Sequence, residues 1–263
     1  MLSTAFSPGS PDWLDLGSTD PAASAAFYGA VFGWTLVPAG PQAGGHGFLR
    51  QHGRTVAAVG PLTGALARPA WTVHFRTPDA DRTTALVRGA GGRVRFPPYD
   101  VLDSGRTAGF TDPTGAGFAV WQPHHLRGLD TVGEPGSLCW TECHSIDAEA
   151  AKAFYRTVFG WQERDVPLGE ELYTVLTPAG GGTEDAHGGI VQLDPAQTAA
   201  GVSSHWLPYF EVTDADACLA TAERLGATVR LPAADVHGVG RLGRLEDPQG
   251  AVFAVITSTA PGT

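Results

Sequence analysis

The chain is poor in lysine, methionine and cysteine. Lys152 is the only lysine and Met1 the only methionine among 263 residues. Positive charge is therefore carried almost entirely by arginine. The 17 Lys and Arg are outnumbered by 27 Asp and Glu, leaving a formal net charge of -10. That balance argues against a nucleic-acid surface and against binding to anionic lipid. No apolar run approaches the roughly 20 residues of a membrane span. The opening, MLSTAFSPGSPDWL, has neither a basic start nor an apolar stretch of signal-peptide length. The expectation is a cytoplasmic protein that contacts neither membrane nor nucleic acid. Cys139, Cys143 and Cys218 are the three cysteines. Their odd number suggests free thiols. Four residues along a strand span about 13 Å, so a Cys139–Cys143 disulfide is out of reach.

What the chain has in abundance is repetition. FYGAVFGW at 27–34 returns as FYRTVFGW at 154–161. The match widens to WLDLGSTDPAASAAFYGAVFGW (13–34) against WTECHSIDAEAAKAFYRTVFGW (140–161), an offset of 127. WTVHFRTPDADRTTALVRGAGGRVR (71–95) then matches WLPYFEVTDADACLATAERLGATVR (206–230) at an offset of 135. TDPTGAGFAV (111–120) matches EDPQGAVFAV (246–255) at the same offset. The whole chain reads as a tandem duplication. The step from 127 to 135 places an eight-residue insertion in the second half, around PAGGGTEDAHGG.

Each half repeats one grammar twice. A short apolar strand leads to an Asp suited to N-capping, then to an Ala-rich helix of about a dozen residues, then to three short strands broken by Gly and Pro. DPTG and DPQG suit tight turns, with Pro at the second position. The unit is βαβββ, four times over. QPHHLRGLDTVGEPGSL (122–138) reads as a linker. The expected domains are 1–128 and 129–263, each of two modules.

This arrangement resembles the vicinal oxygen chelate superfamily, the glyoxalase, bleomycin-resistance and dioxygenase group. The resemblance rests on the D-x-x-x-[AS]-x-x-FY-x-x-x-FGW helix and the [FL]-x-DP-x-G hairpin, each present twice in the correct order. It extends to a two-domain actinobacterial branch whose members stand in antibiotic biosynthesis and resistance clusters. It implies an α+β fold of four βαβββ modules in two tandem glyoxalase-like domains, with curved mixed sheets forming cups. Metal-dependent members carry His or Glu on first and last strands of their modules. The six positions that align here hold Trp13, Trp140, Thr72, Leu207, Ala119 and Ala254. No metal and no other cofactor is therefore expected.

Alternation along strands sorts the remaining residues into faces. The repeated Phe118, Val120, Phe253 and Val255, with Phe27, Tyr28, Phe32 and Trp34, are expected in the core. The opposite faces differ between the halves. One offers Trp13, Asp15, Thr72, His74, Arg76 and Trp121. The other offers Trp140, Glu142, His144, Tyr209 and Glu211. Asp15 with His74, and Glu142 with His144, are the candidate catalytic pairs, because a carboxylate beside an imidazole can move protons. On one strand, same-face neighbours lie about 6.5–7 Å apart, so a ligand bridging Glu142 and His144 is expected. The bland alternatives are a satisfied Glu142–His144 pair and an Asp15–Arg76 salt bridge. The other residues named, Trp13, Thr72, Arg76, Trp121, Trp140, Tyr209 and Glu211, are candidate ligand contacts. His124 and His125 fall in the linker. His46, His52, His187 and His237 fall in Gly-rich loops without an assigned role.

Two function classes remain open at this point. One is a cofactor-independent tailoring enzyme of secondary metabolism (hydroxylase-associated, isomerase or lyase type), or a helper to an oxygenase. Its substrate would be a flat, oxygen-rich molecule such as an aromatic polyketide. The other is a non-catalytic antibiotic-binding or self-resistance protein. A weaker alternative is a metal-dependent glyoxalase or dioxygenase. A monomer or weak dimer is expected.

Overall fold

The computed structural model describes residues 2–62, 68–168 and 171–259. The first module runs β1 (Pro11–Ser18), α1 (Pro21–Phe32), β2 (Thr35–Pro38), β3 (Gly47–Gln51) and β4 (Arg54–Pro61). The second runs β5 (Ala70–Arg76), α2 (Ala80–Gly89), β6 (Arg93–Val101), β7 (Gly105–Thr111) and β8 (Gly117–Pro123). The third comprises β9 (Leu138–Ser145), α3 (Ala148–Phe159), β10 (Gln162–Leu168), β11 (Glu171–Thr177), a 3-10 turn at Thr183–Asp185 and β12 (Gly188–Gln192). A short α4 (Pro195–Ala199) leads to the fourth, with β13 (His205–Glu211), α5 (Ala215–Arg224), β14 (Thr228–Val236), β15 (Gly240–Glu246) and β16 (Val252–Ser258). The α+β class and the fourfold βαβββ grammar are as the sequence implies. No helix among the described residues is long and apolar enough to cross a membrane.

The strands belong to two mixed eight-stranded sheets. Within the modules the orders are β2-β3-β4-β1, β5-β8-β7-β6, β10-β11-β12-β9 and β13-β16-β15-β14. The first strand of each module pairs parallel with its last, and the remaining pairs are antiparallel. Four aspartates start the four main helices. Asp20, Asp79, Asp147 and Asp214 each accept a hydrogen bond from the backbone N–H three residues on, at 2.9–3.0 Å. This satisfies a donor that the first helical turn leaves orphaned. Gly33 and Gly160, at φ 75° and 71°, close α1 and α3 in the left-handed conformation.

The modules condense into two compact units, and each unit draws one module from each half of the sequence. One holds residues 1–13, 72–128 and 140–207; the other holds 14–71, 129–139 and 208–263. In the first unit, Tyr155 of α3 donates to Asp112 Oδ2 at 3.0 Å and accepts from Trp206 Nε1 at 2.7 Å. Asp112 Oδ1 gathers the backbone N–H groups of Thr114, Gly115 and Ala116. One carboxylate thus holds its own turn and a helix from the other half. Around it pack the rings of Phe75, Phe118, Phe159, Trp161 and Trp206. Trp161 Nε1 donates to Gly9 O at 2.9 Å. Gly9 has φ +85°, and a Cβ there would lie 2.8 Å from Trp161 Nε1, so only glycine fits.

The second unit repeats the device with the halves exchanged. Tyr28 of α1 donates to Asp247 Oδ2 and accepts from Trp71 Nε1, both at 3.0 Å. Asp247 Oδ1 gathers the N–H groups of Gln249, Gly250 and Ala251. Phe32, Trp34, Trp71, Phe210 and Phe253 form the ring cluster. The repeated FY…FGW string is core in both copies, and each copy is completed by the DP turn of the other half.

The eight inserted residues are split rather than placed in one loop. Glu142 lies opposite Gly189 as Asp15 lies opposite Ala58. The offset from 58 to 189 is 131, halfway between the flanking 127 and 135. Half of the insertion lengthens the β11–β12 connection that carries the 3-10 turn. The other half lies between β12 and β13, where α4 forms.

Candidate functional site

On β9 the side chains alternate, so Trp140, Glu142 and His144 share one face. His144 Nε2 lies 3.1 Å from Glu142 Oε2. The two same-face neighbours lean together and touch directly, where the sequence suggested a gap for a ligand to bridge. Glu142 Oε1 accepts the Tyr173 hydroxyl at 2.9 Å, and Tyr173 Oη accepts Trp140 Nε1–H at 2.6 Å. The chain Trp140–Tyr173–Glu142–His144 is continuous. Its far end stacks on His205, ring centroids 5.0 Å apart and planes within 4°. Tyr173 and His205 were not singled out from the sequence. Tyr173 reaches Glu142 because β12 carries Gly189 between them, where a Cβ would fall 2.1 Å from Tyr173 Oη. His144 also lines a cavity of about 420 Å³, with Val191, Gln192, Asp194, Ala196 and Gln197.

The other candidates in the first unit have different surroundings. His74 is buried, its Nδ1 has no hydrogen-bond partner, and burial pushes its pKa down to about 3. It is a neutral side chain in an apolar setting at ordinary pH. Trp13 and Trp121 stack on each other, centroids 6.1 Å apart at 21°, and both are almost fully buried. Trp121 Nε1 donates to Leu126 O at 2.9 Å. These rings fill space with each other. Arg76 donates to Arg127 O at 2.9 Å and lies 3.6 Å from Asp12. The carboxylate that Arg76 faces is thus Asp12, where the sequence suggested Asp15. Asp12 is fully buried, and burial raises its pKa well above the usual range against the opposing charge of Arg76. Thr72 is half-buried on β5.

In the second unit, Glu211 accepts Ser258 N–H at 3.0 Å and the Ser258 hydroxyl at 2.6 Å, fastening the end of β16. Tyr209 is buried, and its carbonyl accepts the Cys139 thiol at 3.3 Å. Asp15 is half-buried; burial raises its pKa and the neighbouring His46 opposes the rise.

Residues 10–120 match the glyoxalase/bleomycin resistance protein/dioxygenase superfamily, and residues 140–256 match the glyoxalase-like domain. The chain belongs to that superfamily. It is 40% identical to the anthracycline biosynthesis protein DauV of Streptomyces sp. (strain C5), over 96% of this chain and 94% of that one. It is 36% identical to the putative glyoxylase CFP32 of Mycobacterium tuberculosis, over 95% of each. Among solved structures, the Mn(II)-bound glyoxalase from Novosphingobium aromaticivorans aligns with a TM-score of 0.63 at 18% identity. It covers 95% of this chain and 82% of that one. The 2,2',3-trihydroxybiphenyl 1,2-dioxygenase of Sphingomonas wittichii strain RW1 aligns with a TM-score of 0.65 at 15% identity, covering 96% and 91%. At such identities the structural likeness is one of fold.

Among the described residues, the side chains do not supply the converging donors of a resident divalent ion. Such an ion needs several converging N, O or S donors. Among the described residues no three His, Cys, Asp or Glu side chains are grouped to hold one.

Proposed function

We propose that this protein takes a flat, hydroxylated aromatic molecule of secondary metabolism against the β9–β11–β12 face of the third module, and that Glu142 and His144 exchange protons with it without a metal. The observation that carries this reading is the hydrogen-bonded run Trp140–Tyr173–Glu142–His144, ending beside a 420 Å³ cavity. Glu142 Oε2 and His144 Nε2 touch directly, the arrangement through which a carboxylate and an imidazole can pass a proton. Tyr173 holds the other carboxylate oxygen and so fixes the orientation of Glu142. Trp140 adds an indole on the same face, suited to an aromatic guest. The substrate class is supported by the 40% identity to anthracycline biosynthesis proteins.

A second reading, binding without turnover, is favoured by one observation. Tyr173, Glu142 and His144 already satisfy one another. The test uses a hydroxyanthraquinone and tryptophan-fluorescence quenching. Glu142→Gln and His144→Gln are each expected to weaken binding at least tenfold, about 1.4 kcal/mol. Unchanged affinity in both variants overturns the site. Conversion of a hydroxyanthraquinone or anthracycline aglycone, followed by chromatography and abolished in His144→Gln, separates catalysis from binding.

A further inference from the structure

We propose that the first unit carries an anion site at the strand ends of the second module, where Arg76 and Gln122 hold the carboxylate of a small organic acid. A cavity of about 190 Å³ lies there, lined by Pro8, Arg76, Thr77, Pro78, Gln122 and Pro123. Arg76 ends β5, and Gln122 and Pro123 end β8. The two strands are parallel, so the cavity lies at their shared carboxyl ends, beside the start of α2, rather than on the face of the sheet. Arg76 Nη1 donates to Arg127 O at 2.9 Å, and the rest of the guanidinium has no hydrogen-bond partner among the described residues. The carboxyl that Arg76 faces, Asp12, lies 3.6 Å away, beyond hydrogen-bond reach, and neither Asp12 oxygen has a hydrogen-bond partner. Burial raises the pKa of that carboxyl well above the usual range, which weakens it as a counter-charge. Gln122 Oε1 accepts the Ala80 N–H at 2.9 Å, which leaves its Nε2 as a second donor group in the lining.

The duplication supplies the contrast. Gly9 N–H donates to Arg76 O and Arg76 N–H to Ser10 O, as Gly136 N–H donates to Glu211 O and Glu211 N–H to Ser137 O. The backbone is thus built alike in both units. The offset of 135 sets Glu211 at the place of Arg76 and Ser258 at the place of Pro123. Glu211 is satisfied from within its own unit, because Ser258 gives it both a backbone N–H and a hydroxyl. Arg76 needs an acceptor, and the proline side chain at 123 has none. The sign of the charge is reversed and the internal partner is missing at the same place. A guanidinium fork matches a carboxylate through two parallel hydrogen bonds. The rings of Pro8, Pro78 and Pro123 offer apolar contact to a short hydrocarbon body, which favours an organic acid over inorganic phosphate. One guanidinium with a carboxyl behind it suits a single negative charge.

This site goes beyond the function proposed above and shares no residue with it. The probe is butyrate, followed by saturation-transfer NMR on the full chain at constant ionic strength. A saturable signal is expected for butyrate, none for butanol, and no displacement by chloride at equal concentration. Arg76→Gln should weaken butyrate binding at least about tenfold, because the fork is lost. Gln122→Glu should do the same, because it still accepts the Ala80 N–H but adds a negative charge to the lining. Glu142→Gln should leave butyrate binding unchanged, so the two sites stand or fall separately. Thermal melts report the fold of each variant. Gln122→Glu keeps the contact to α2 and carries the test if Arg76→Gln, which strips Asp12 of its facing charge, does not fold. The absence of a saturable butyrate signal, equal displacement by chloride, or binding that survives both substitutions overturns the site. Loss of butyrate binding in Glu142→Gln also overturns it, by placing the acid on the third module. Binding of phosphate in place of butyrate, lost in Arg76→Gln, overturns the organic acid as its ligand.

Discussion

The first and third modules are copies whose buried and exposed sides have had different histories. On the buried side, Tyr28 and Tyr155 each join a tryptophan indole to a turn aspartate, with hydrogen bonds of 2.7–3.0 Å in both units. Trp34 and Trp161 each donate to a glycine carbonyl, Gly136 and Gly9, at 2.8 and 2.9 Å. On the other face of the sheet, where most side chains are half-buried, Asp15, His46, Gly17 and Gly60 stand where Glu142, Tyr173, His144 and Val191 stand. The difference follows from what each position must satisfy. A buried hydroxyl or indole that loses its partner is left with its full desolvation penalty. Drift is therefore costly there. On the half-buried side water can reach a group that loses its partner, so divergence between the copies costs less there.

If the buried sides are equivalent, their disruption costs alike. Trp161→Ala and Trp34→Ala remove rings that are 2% and 3% exposed, together with one hydrogen bond each. The expected loss is about 4 kcal/mol in either copy, read by urea denaturation. A difference of more than about 2 kcal/mol between them would show that one copy of the motif dominates the core.

The next effect breaks the symmetry. His74 and His187 lie in the first unit, and burial lowers both to about 3. The position matching His74 holds Tyr209, not a second histidine. The folded state keeps these imidazoles neutral, while the unfolded chain binds protons from about pH 6.5 downward. Their contribution is fully present above pH 6.5 and declines as the pH falls toward 3, by about 2 kcal/mol per histidine at pH 5. The raised carboxyls of Asp12, Asp15 and Asp247 act in the opposite sense. The informative quantity is thus the difference in pH slope between wild type and His74→Gln. A parallel pair of stability curves from pH 7 to 5 would contradict a neutral His74.

A smaller loss is expected from Tyr155→Phe and Tyr28→Phe. Each leaves a carboxylate oxygen and an indole N–H without a partner, at about 1–2 kcal/mol in chemical denaturation. The sequence made these tyrosines legible as core, because they repeat within a helical string. It also made the four caps, the DP turns and the βαβββ order legible, because each depends on local geometry. It did not reveal that Tyr28 meets Asp247 and Tyr155 meets Asp112. The two DP turns are near-copies, and nothing local says which turn a helix will use. Tyr173 was not visible as a site residue, and His46 was visible only as a loop histidine without a role, for a related reason. His46 stands just before β3 and Tyr173 stands on β11, with no repeated string around either, and only the strand register aligns them. His74 was legible as an imidazole on a strand but not as a neutral one, since its lowered pKa comes from burial by residues distant in sequence.

The smallest expected effect on stability gives the sharpest contrast between the exposed faces. Ala58 and Gly189 are equivalent by register, opposite Asp15 and Glu142. The first copy tolerates a Cβ there because its ring, His46, lies over Gly60 instead. In the second copy a Cβ at 189 would sit 2.1 Å from Tyr173 Oη. Gly189→Ala must therefore move the phenol, and with it the hydrogen bonds to Glu142 and from Trp140. The cost to the fold should stay within about 1 kcal/mol, since Tyr173 is only half-buried and can turn toward water. The local effect should be plain: Trp140 loses the acceptor of its indole N–H, and its emission should shift in wavelength. Ala58→Gly should leave the spectrum unchanged. Hydroxyanthraquinone binding at the third module should weaken in Gly189→Ala. If Gly189→Ala leaves both the emission and the binding as in the wild type, the Trp140–Tyr173–Glu142 chain does not govern that face, and the third module loses its claim to the chemistry.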